Sequence, residues 1–519
     1  MARKSAAQLQ EGLDRLGQAG LVFCRGAPPQ ATFLFKHALV RDAAYDSLLR
    51  GARQELHSRI AAMLRERFPE IVTAAPERLA QHLDEAGFAL EAARHWLAAG
   101  QRSLARSAVR EAVTQLRRGL NSLTILADGH ERRSLELDLQ RALGKALLDA
   151  RGFTAPEAGE AFARARTLCF SLREKPRLLP ILYGQWLSAF YTSELAKARD
   201  IAQALLGRAT EQQDPLGRIM GHRSLGYSYF YLGELEGARD HLEQARALYD
   251  PVEHRFSHVE YGYDVLVLAL LALSLALEHL GYLDQAVQRS KEAILHARSV
   301  GHPASLAACL PPALMAQVRL RDWVGVLDLA DTLVALATEQ GFPAFLAFGT
   351  YYRGWALVGR GQTTEGLALM KEGIARYRAL GQELNVGPWL CGLAGCYLSA
   401  GRTEDALRCV GEASVVIERT EVGVMHAPLS WLRGELQLAS AASDLAAAEG
   451  DFRSAIGVAR RQSNKFWQLR ASTSLARLWR EQGKRTEACD LLAPIYGWFT
   501  EGIDTPELKE AKALLEMLN

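Results

Sequence analysis

A short turn motif recurs along this chain at a step of 40 residues, at positions 281, 321, 361 and 401. Each copy separates two segments in which apolar residues recur at helical spacing. A constant period of this length, built from helix–turn–helix units, is typical of an α-solenoid, in which each unit packs on its neighbours. The sequence therefore predicts an all-α superhelix of helical hairpins, and it indicates a binding surface rather than an active site.

One segment matches the tetratricopeptide pattern most completely. Gly226 lets the first helix of a hairpin approach the second, where Ala238 offers a small side chain, and Tyr229 fills the space beyond the crossing. Pro251 is expected to end the second helix because proline has no N–H group. The fold predicted for most of the chain is a tetratricopeptide-like solenoid. The positions expected to carry the repeat structure are Gly226, Tyr229, Ala238, Ala245, Gly281, Ala286, Gly354, Gly361, Gly401 and Ala406.

The first 50 residues differ from the repeats. Leucines at helical spacing are followed by two short β-rich runs, 21–25 and 31–35, with a Gly-Ala-Pro-Pro turn between them, and a helix is expected over 36–49. Helix, β-hairpin and helix form the back half of a winged-helix module. We therefore expect two domains: a winged-helix-like remnant with one β-hairpin and a connecting helix (1–68), and a solenoid with a C-terminal cap helix (69–519).

Charge, cysteine usage and hydropathy exclude several classes of protein. With 61 basic and 59 acidic residues, the net charge of +2 steers the chain neither to nucleic acid nor to an anionic membrane. Seven scattered cysteines, an odd number, favour a reducing cytosol over a disulfide framework. No signal peptide follows Met1. The longest apolar run, Val265 to Leu277, is too short to span a bilayer and predicts a buried helix. We therefore expect a cytoplasmic protein.

Three stretches resemble a known family. Phe35-Lys-His-Ala-Leu-Val-Arg-Asp-Ala-Ala-Tyr45 looks like the end of the winged-helix part of a STAND-type (AAA-type) regulatory ATPase, and Arg53 to Ile60 resembles the family's next helix. The run from Leu491 to Glu507 is similar to the tail of a bacterial subgroup that joins a class III adenylate/guanylate cyclase, a STAND ATPase and tetratricopeptide-like repeats. The resemblance covers essentially the whole chain, as the C-terminal part of such a protein.

The resemblance implies a nucleotide-sensing role for one residue. In the family, a histidine at the start of this helix senses the β-phosphate of ADP, and His37 matches it. However, the Gly-Lys pairs at 144 and 483 lack the first glycine and the Ser/Thr of a P-loop, and no cyclase core is recognisable. We therefore expect a non-catalytic chain without a cofactor, in which His37 packs under the hairpin.

Several patterns that suggest chemistry are explained more simply by structure. His254 and His258 have a spacing that metal sites use, but no third ligand lies nearby, so no metal is expected. Cys391 and Cys396 lack the C-x-x-C spacing and are read as buried small side chains. The glycine-rich stretch 359–364 lacks a third glycine and a preceding strand, so it is predicted to be an inter-helix turn.

Proline and glycine mark several predicted helix ends. The turns Gly301-His-Pro303 and Gly341-Phe-Pro343 place glycine after one helix and proline at the start of the next. Thr154 is expected to cap a helix that has Pro156 in its first turn. The last helix, Glu507 to Leu518, is expected to cap the solenoid.

The predicted function is that of a sensor region in a bacterial signalling protein. A protein or peptide, or the chain's own upstream domains, is the expected partner, and no small-molecule site is identifiable. Two alternatives remain open: a fragment of a cyclase and STAND ATPase whose catalytic domains lie upstream, and the ligand-sensing region of a STAND transcriptional regulator. The first helix of each hairpin should line the concave face. Candidate partner contacts there are Tyr227, Tyr231, Tyr351, Tyr352, Arg353 and Arg433.

Overall fold

The computed structural model describes residues 6–26, 31–106, 108–173, 177–255, 257, 261–440 and 444–518. The chain divides into two compact units, one containing residues 1–150 and 167–173 and the other residues 151–166 and 174–519. Within the described residues, helical hairpins make up the fold and one two-stranded sheet is present. The predicted all-α, tetratricopeptide-like class is confirmed.

The first unit begins with a helix, a β-hairpin and a second helix. The strands are antiparallel, with Val22 opposite Phe35 and Arg25 opposite Thr32. Short helices in hairpin order follow. The elements of this unit are α1 (Ala6–Gln18), β1 (Val22–Arg25), β2 (Thr32–Phe35), α2 (Ala38–Asp46), α3 (Arg50–Arg67), α4 (Pro69–Ala74), α5 (Pro76–Ala86), α6 (Ala89–Ala105), α7 (Val109–Ser122) and α8 (His130–Arg151).

The core of the first unit lies between α3, α5 and α6. Trp96 is 2% exposed and packs with Leu79, Leu83 and Ala61. Its Nε1–H donates to Asp84, whose other carboxylate oxygen accepts a hydrogen bond of 2.6 Å from Ser122 Oγ. One carboxylate therefore joins α5, α6 and α7. The boundary expected after residue 68 falls inside this unit, where α3 packs on α5.

The second unit is also built from helices in hairpin order, and the first of them contributes only its residues 156–166 to this unit. They are α9 (Pro156–Leu172), α10 (Leu178–Tyr191), α11 (Leu195–Glu211), α12 (Pro215–Leu232), α13 (Leu235–Ala247), α14 (Val265–Leu280), α15 (Leu283–Val300), α16 (Pro303–Arg319), α17 (Trp323–Gln340), α18 (Pro343–Gly359), α19 (Thr363–Ala379), α20 (Val386–Ser399), α21 (Thr403–Thr420), α22 (His426–Ala439), α23 (Leu445–Arg461), α24 (Lys465–Glu481), α25 (Arg485–Tyr496) and α26 (Pro506–Leu518).

The helix ends follow the local chemistry of the sequence. Gly301 and Gly341 end their helices with φ of +69° and +70°, a left-handed conformation that side chains disfavour. Proline occupies the first position of α16 and α18, where its missing N–H costs nothing. The predicted turns at these positions are confirmed, as is the inter-helix turn that follows Gly359.

Close approach between paired helices explains the small residues in the repeats. A Cβ on Gly226 would lie 2.6 Å from Leu242 Cγ and 3.0 Å from the carbonyl oxygen of Ala238. A Cβ on Gly354 would lie 2.5 Å from the carbonyl oxygen of Gly366. Any side chain at these two positions would force the helices apart.

The apolar run predicted to be a buried helix is α14, and this prediction is confirmed. Every residue of α14 except Leu266 is buried, from Val265 to Leu280. Asp264 caps the helix by accepting a hydrogen bond of 3.0 Å from the N–H of Val267. Among the described residues, no helix is both long and apolar enough to cross a membrane.

Helices from the middle and from the C-terminal part of the second unit pack on each other. Gly281 follows α14, and a Cβ there would lie 2.7 Å from Trp498 and 2.9 Å from Lys465. The N–H of Asp284 donates to Glu501 over 3.1 Å, although the two residues are 217 positions apart. Hairpins that are remote in the sequence therefore meet, and the second unit closes on itself.

Three local predictions were wrong in detail. Helix α13 ends at Ala247, before Pro251, because Asp250 starts a turn in which its carboxylate accepts from the N–H groups of Val252 and Glu253. Helix α9 begins at Pro156 as expected, but the Thr154 hydroxyl donates to the carbonyl oxygen of Leu380 over 2.9 Å.

The third difference concerns the helix predicted over 36–49. It is shorter, Ala38–Asp46, and the turn that follows it leads into α3. Most of the predicted hairpin turn, residues 27–30, lies outside the described residues.

Candidate functional site

The first 49 residues expose an unusual amount of apolar surface. Of the 21 exposed large apolar side chains in the described residues, six lie between Leu9 and Leu49. Leu39 and Leu49 are each 83% exposed, and Phe23 is 56% exposed. We call the exposed side chains of Phe23, Leu34, Phe35, Leu39 and Leu49 together the N-terminal apolar face. Phe23 and Leu34 are cross-strand partners and lie on the same side of the hairpin, whereas Phe35, next to Leu34 in β2, lies on the other side.

The same segment has almost no interior of its own. Val22 is its one buried residue among those described, and α2 buries no side chain. Burying one such side chain gains about 1.5–3 kcal/mol, whereas fixing the backbone of a single residue costs about 1–2 kcal/mol. The burial of one side chain therefore cannot offset the backbone entropy that more than 40 residues lose when they become ordered. Its exposed apolar side chains form a candidate interaction surface.

His37 lies at the N-terminal boundary of α2. Its backbone is extended, with φ of −130° and ψ of 131°, and its side chain makes no capping hydrogen bond. The side chain is exposed and is not packed under the hairpin, so that expectation was wrong. The imidazole is accessible to a group that approaches from outside the chain.

The tyrosines predicted to contact a partner fall into two groups. Tyr351 and Tyr352 are 0% and 3% exposed. The Tyr351 hydroxyl donates to the carbonyl oxygen of Trp389 over 2.8 Å, and its ring stacks on that indole at 4.7 Å. These two side chains stabilise the core of the second unit, so neither offers a surface to a partner in this structure.

Tyr227 and Tyr231 lie one turn apart on α12, where helices from distant parts of the sequence meet. Tyr231 is 6% exposed and donates to Asn385 Oδ1 over 3.3 Å, and Asn385 Nδ2 donates to Tyr377 Oη over 2.8 Å. Burial raises the pKa of Tyr231 well above its usual value, so the hydroxyl stays protonated. Tyr227 is half-buried and stacks on Phe190 at 4.9 Å.

The two predicted arginines lie on the surface of the second unit. Arg353 Nε is 3.3 Å from Asp331 Oδ1, and Arg433 Nη2 donates to Ser414 Oγ over 2.6 Å. Both side chains are exposed. They belong to α18 and α22, whereas Tyr227 belongs to α12. They remain predicted partner contacts.

The sequence did not predict a groove of about 370 Å³ on the first unit. Trp96 forms its floor, with the guanidinium of Arg118 5.2 Å from the centre of the indole. Arg78 and Arg110 line the same groove, on α5 and α7. The spacing of single arginines on separate helices gave no signal, because their meeting depends on how the helices pack.

No metal site forms among the described residues: no group of three His, Cys, Asp or Glu side chains is suitably placed. His258 lies outside the described residues. His254 is buried, and its Nδ1 accepts from the N–H of Asp250 over 2.8 Å. Burial raises the pKa of Cys391 and of Cys396 to about 12, so both thiols are poor nucleophiles at neutral pH.

Comparisons with known proteins give one relative of similar sequence. An uncharacterized protein of Rhizobium meliloti (strain 1021) is 24% identical over 473 residues, which are 91% of this chain and 46% of that protein. The chain thus spans less than half the length of the curated relative it matches. None of the known protein-family models matches the chain.

Solved structures with similar helical arrangements include two assemblies of repeats. The Cut9–Hcn1 hetero-tetramer of the APC/C aligns with 93% of this chain and 99% of its own, at 14% identity and a TM-score of 0.45. A STAND protein with a tetratricopeptide-repeat sensor from Pyrococcus horikoshii aligns with 72% of this chain and 59% of its own, at 12% identity and a TM-score of 0.38. Both scores are below 0.5, so the fold described above rests on the helices of this chain.

Proposed function

We propose that this chain is the partner-binding sensor region of a larger bacterial signalling protein of the STAND ATPase class. One observation carries the proposal: residues 6–49 expose five large side chains of an apolar face while burying one residue of their own. Exposed apolar patches on a folded protein mark interaction sites. The polypeptide that completes the winged-helix module is the partner that best fits this face.

The position of His37 supports the same partner. Its side chain is exposed at the start of α2, in the sequence context that resembles the ADP-sensing histidine of STAND ATPases. An ATPase domain docked on the N-terminal apolar face would bring a nucleotide close to this imidazole. The tail from Leu491 to Glu507 favours the cyclase-linked subgroup, in a cytoplasmic setting. In that arrangement the catalytic chemistry belongs to the upstream domains and the repeats regulate it.

The alternative of a transcriptional regulator has less support. The last described helix, α26, buries Leu508, Ala511, Leu514 and Leu518 against its own unit. Its remaining face mixes glutamate and lysine and lacks the basic surface of a DNA-recognition helix. This helix works as a cap, and it is not proposed to enter a DNA groove.

The test is a binding experiment on the chain as it stands. The purified chain is immobilised, its partner is identified by mass spectrometry, and the affinity of the purified partner is measured by calorimetry. Leu39→Asp should weaken binding by at least about tenfold, because a desolvated carboxylate would lie in an apolar interface. Val415→Asp is the matched control, since Val415 is also exposed (63%) but lies on α21.

Two results would count against the proposal. One is a partner whose affinity Leu39→Asp leaves unchanged while Val415→Asp lowers it. The other is genetic: a stop codon directly upstream of Met1, with no P-loop protein encoded beside the gene, would contradict the proposed ATPase partner. An in-frame P-loop and cyclase signature upstream would support it.

A further inference from the structure

The guanidinium of Arg223 is buried in the second unit without an acidic partner. Arg223 lies in the middle of α12 and is 3% exposed. Among the described residues, no carboxylate lies within ion-pair distance of it, and its Nε and Nη1 atoms have no hydrogen-bond acceptor. Arginine cannot shed its proton at neutral pH, so the buried group stays charged. A buried cation of this kind is normally paired.

Two aromatic rings stabilise the positive charge of the guanidinium but provide no acceptor for its N–H groups. The carbon atom Cζ lies 4.8 Å from the centre of the Trp186 ring and 4.9 Å from that of Tyr227. Ring faces stabilise the cation through their negative potential. The N–H groups, in contrast, point outwards in the plane of the guanidinium and need acceptors there. The stacking therefore does not explain how Nε and Nη1 are satisfied.

The neighbouring hydroxyls do not balance the charge. Burial raises the pKa of Tyr183 and of Tyr227, and it raises that of Tyr191 well above its usual value, although Arg223 acts in the opposite direction on all three. All three phenols are therefore neutral at pH 7. The hydroxyl of Tyr183 is itself buried without a partner. Trp186 Nε1–H is not free, because it donates to Ser228 Oγ over 3.0 Å.

Two side chains with unsatisfied donors therefore contact the same indole, that of Trp186: Arg223 on α12 and Tyr183 on α10. The Tyr183 ring stacks on Trp186 at 5.7 Å, on the indole that also holds the guanidinium. Tyr191 and Tyr227 each keep part of their surface exposed, and the Tyr227 ring lies against the guanidinium of Arg223. An oxyanion supplies both the missing charge and the missing acceptors.

We propose that the space between α10 and α12 beside Arg223 binds a small oxyanion, the phosphate or carboxylate group of a small molecule, through Nε–H and Nη1–H of Arg223 and the hydroxyl of Tyr183. Trp186 and Tyr227 hold the guanidinium in position from its two faces. The site is independent of the partner proposed for the N-terminal apolar face. Through this site a small molecule binds the repeats directly, which the sequence alone did not predict.

The experiment uses the full chain in a dilute zwitterionic buffer. Inorganic phosphate and sodium benzoate are titrated separately by calorimetry, and the melting temperature is followed, with sodium chloride at equal ionic strength as the salt control. Saturation by phosphate or by benzoate supports the site and distinguishes the two sources of the oxyanion. Arg223→Met should weaken that binding by at least about tenfold, the loss expected for a charge-assisted hydrogen bond. Arg239→Met, which changes a partly exposed side chain of α13 that pairs with Asp240, should leave it unchanged.

A second readout separates an anion site from a purely structural arginine. Without added anion, Arg223→Met should melt at the same temperature as the wild type or above it, because it removes an unpaired buried charge. Tyr183→Phe keeps the stacked ring, removes the unsatisfied hydroxyl, and should also weaken anion binding. The proposal is overturned if neither probe binds above the chloride control. It is equally overturned if Tyr183→Phe and Arg223→Met both bind like the wild type.

Discussion

Glu501 takes the place of an N-terminal cap for the helix that contains Gln285. Its Oε1 accepts from the N–H of Gln285 over 3.2 Å, and its Oε2 accepts from Gln285 Nε2 over 3.0 Å. The local boundary residue of this helix, Tyr282, provides no side-chain cap. Two first-turn N–H groups of α15, those of Asp284 and Gln285, are thus satisfied by a carboxylate from the C-terminal part of the second unit.

Removing that carboxylate should weaken the closure of the second unit. Glu501→Ala should lower the free energy of unfolding by about 1–2 kcal/mol, the range for loss of a helix cap. Urea unfolding followed by circular dichroism measures it. Glu365→Ala is the control: Glu365 is an exposed acid in the first turn of α19, and its loss should stay within about 0.5 kcal/mol. Equal effects of the two substitutions would contradict the closure.

Substitutions at two glycines with the same backbone conformation distinguish the cost of backbone strain from the cost of overpacking. Gly281 and Gly401 have φ of +96° and +71°, but a Cβ on Gly281 would meet Trp498, Lys465 and Phe499, whereas one on Gly401 would meet nothing within 4 Å. Gly401→Ala should cost about 1 kcal/mol from backbone strain. Gly281→Ala should cost a further 1–3 kcal/mol or so from overpacking. Thermal unfolding of both variants gives the difference, and similar melting temperatures would show that the packing of Trp498 on Gly281 is absent in solution.

Acid should destabilise the second unit through His279. Burial, with Arg319 nearby, lowers the pKa of His279 to about 3 in the folded chain, against about 6.5 when unfolded. Because the folded pKa is the lower one, stability is fully present above pH 6.5 and is lost as the pH falls towards 3. At pH 5.5 the loss should be on the order of 1 kcal/mol relative to pH 7.5.

The comparison with His279→Asn isolates this residue. Asparagine retains a donor for the carbonyl oxygen of Leu275, which lies 3.0 Å from His279 Nδ1, but it does not titrate. Burial raises the pKa of the adjacent Glu278, which acts in the opposite direction in both proteins. Urea midpoints at the two pH values should therefore fall less in the variant than in the wild type. An equal fall of the urea midpoint in both proteins would mean that His279 takes up a proton as easily in the folded chain as in the unfolded chain.

Tyr351 should affect stability and not partner binding. Tyr351→Phe removes one hydrogen bond to the carbonyl oxygen of Trp389 in the core, which should cost about 0.5–1.5 kcal/mol because that carbonyl keeps its partner within α20. Affinity for the partner should stay the same. A loss of affinity without a loss of stability would contradict this prediction and would indicate that Tyr351 contacts the partner.

The regular middle of the chain could be predicted from sequence because its signals are local. The 40-residue step, the glycine-proline turns and the buried α14 each depend on residues within one hairpin. Local spacing predicted these turns and the buried apolar helix correctly, whereas the end of α13 was wrong because Asp250 starts a turn before Pro251.

Contacts between remote hairpins could not be predicted in this way. Thr154 looked like a cap from its neighbours, yet it donates to Leu380, 226 residues away. Tyr351 and Tyr352 looked like surface aromatics, but their burial depends on the helices on either side. Arg223 gave no signal, since an unpaired charge is recognised only when all of its surroundings are known.

Amide hydrogen exchange of residues 22–46 tests the central claim most directly. In the isolated chain we expect these amides to exchange through openings of nearly zero free energy, whereas those of α14 exchange through much larger openings, because exchange protection follows buried apolar contact. Adding the partner should slow exchange across 22–46 and leave α14 unchanged. Protection of 22–46 equal to that of α14 in the isolated chain, or a partner that slows exchange only elsewhere, would contradict the account.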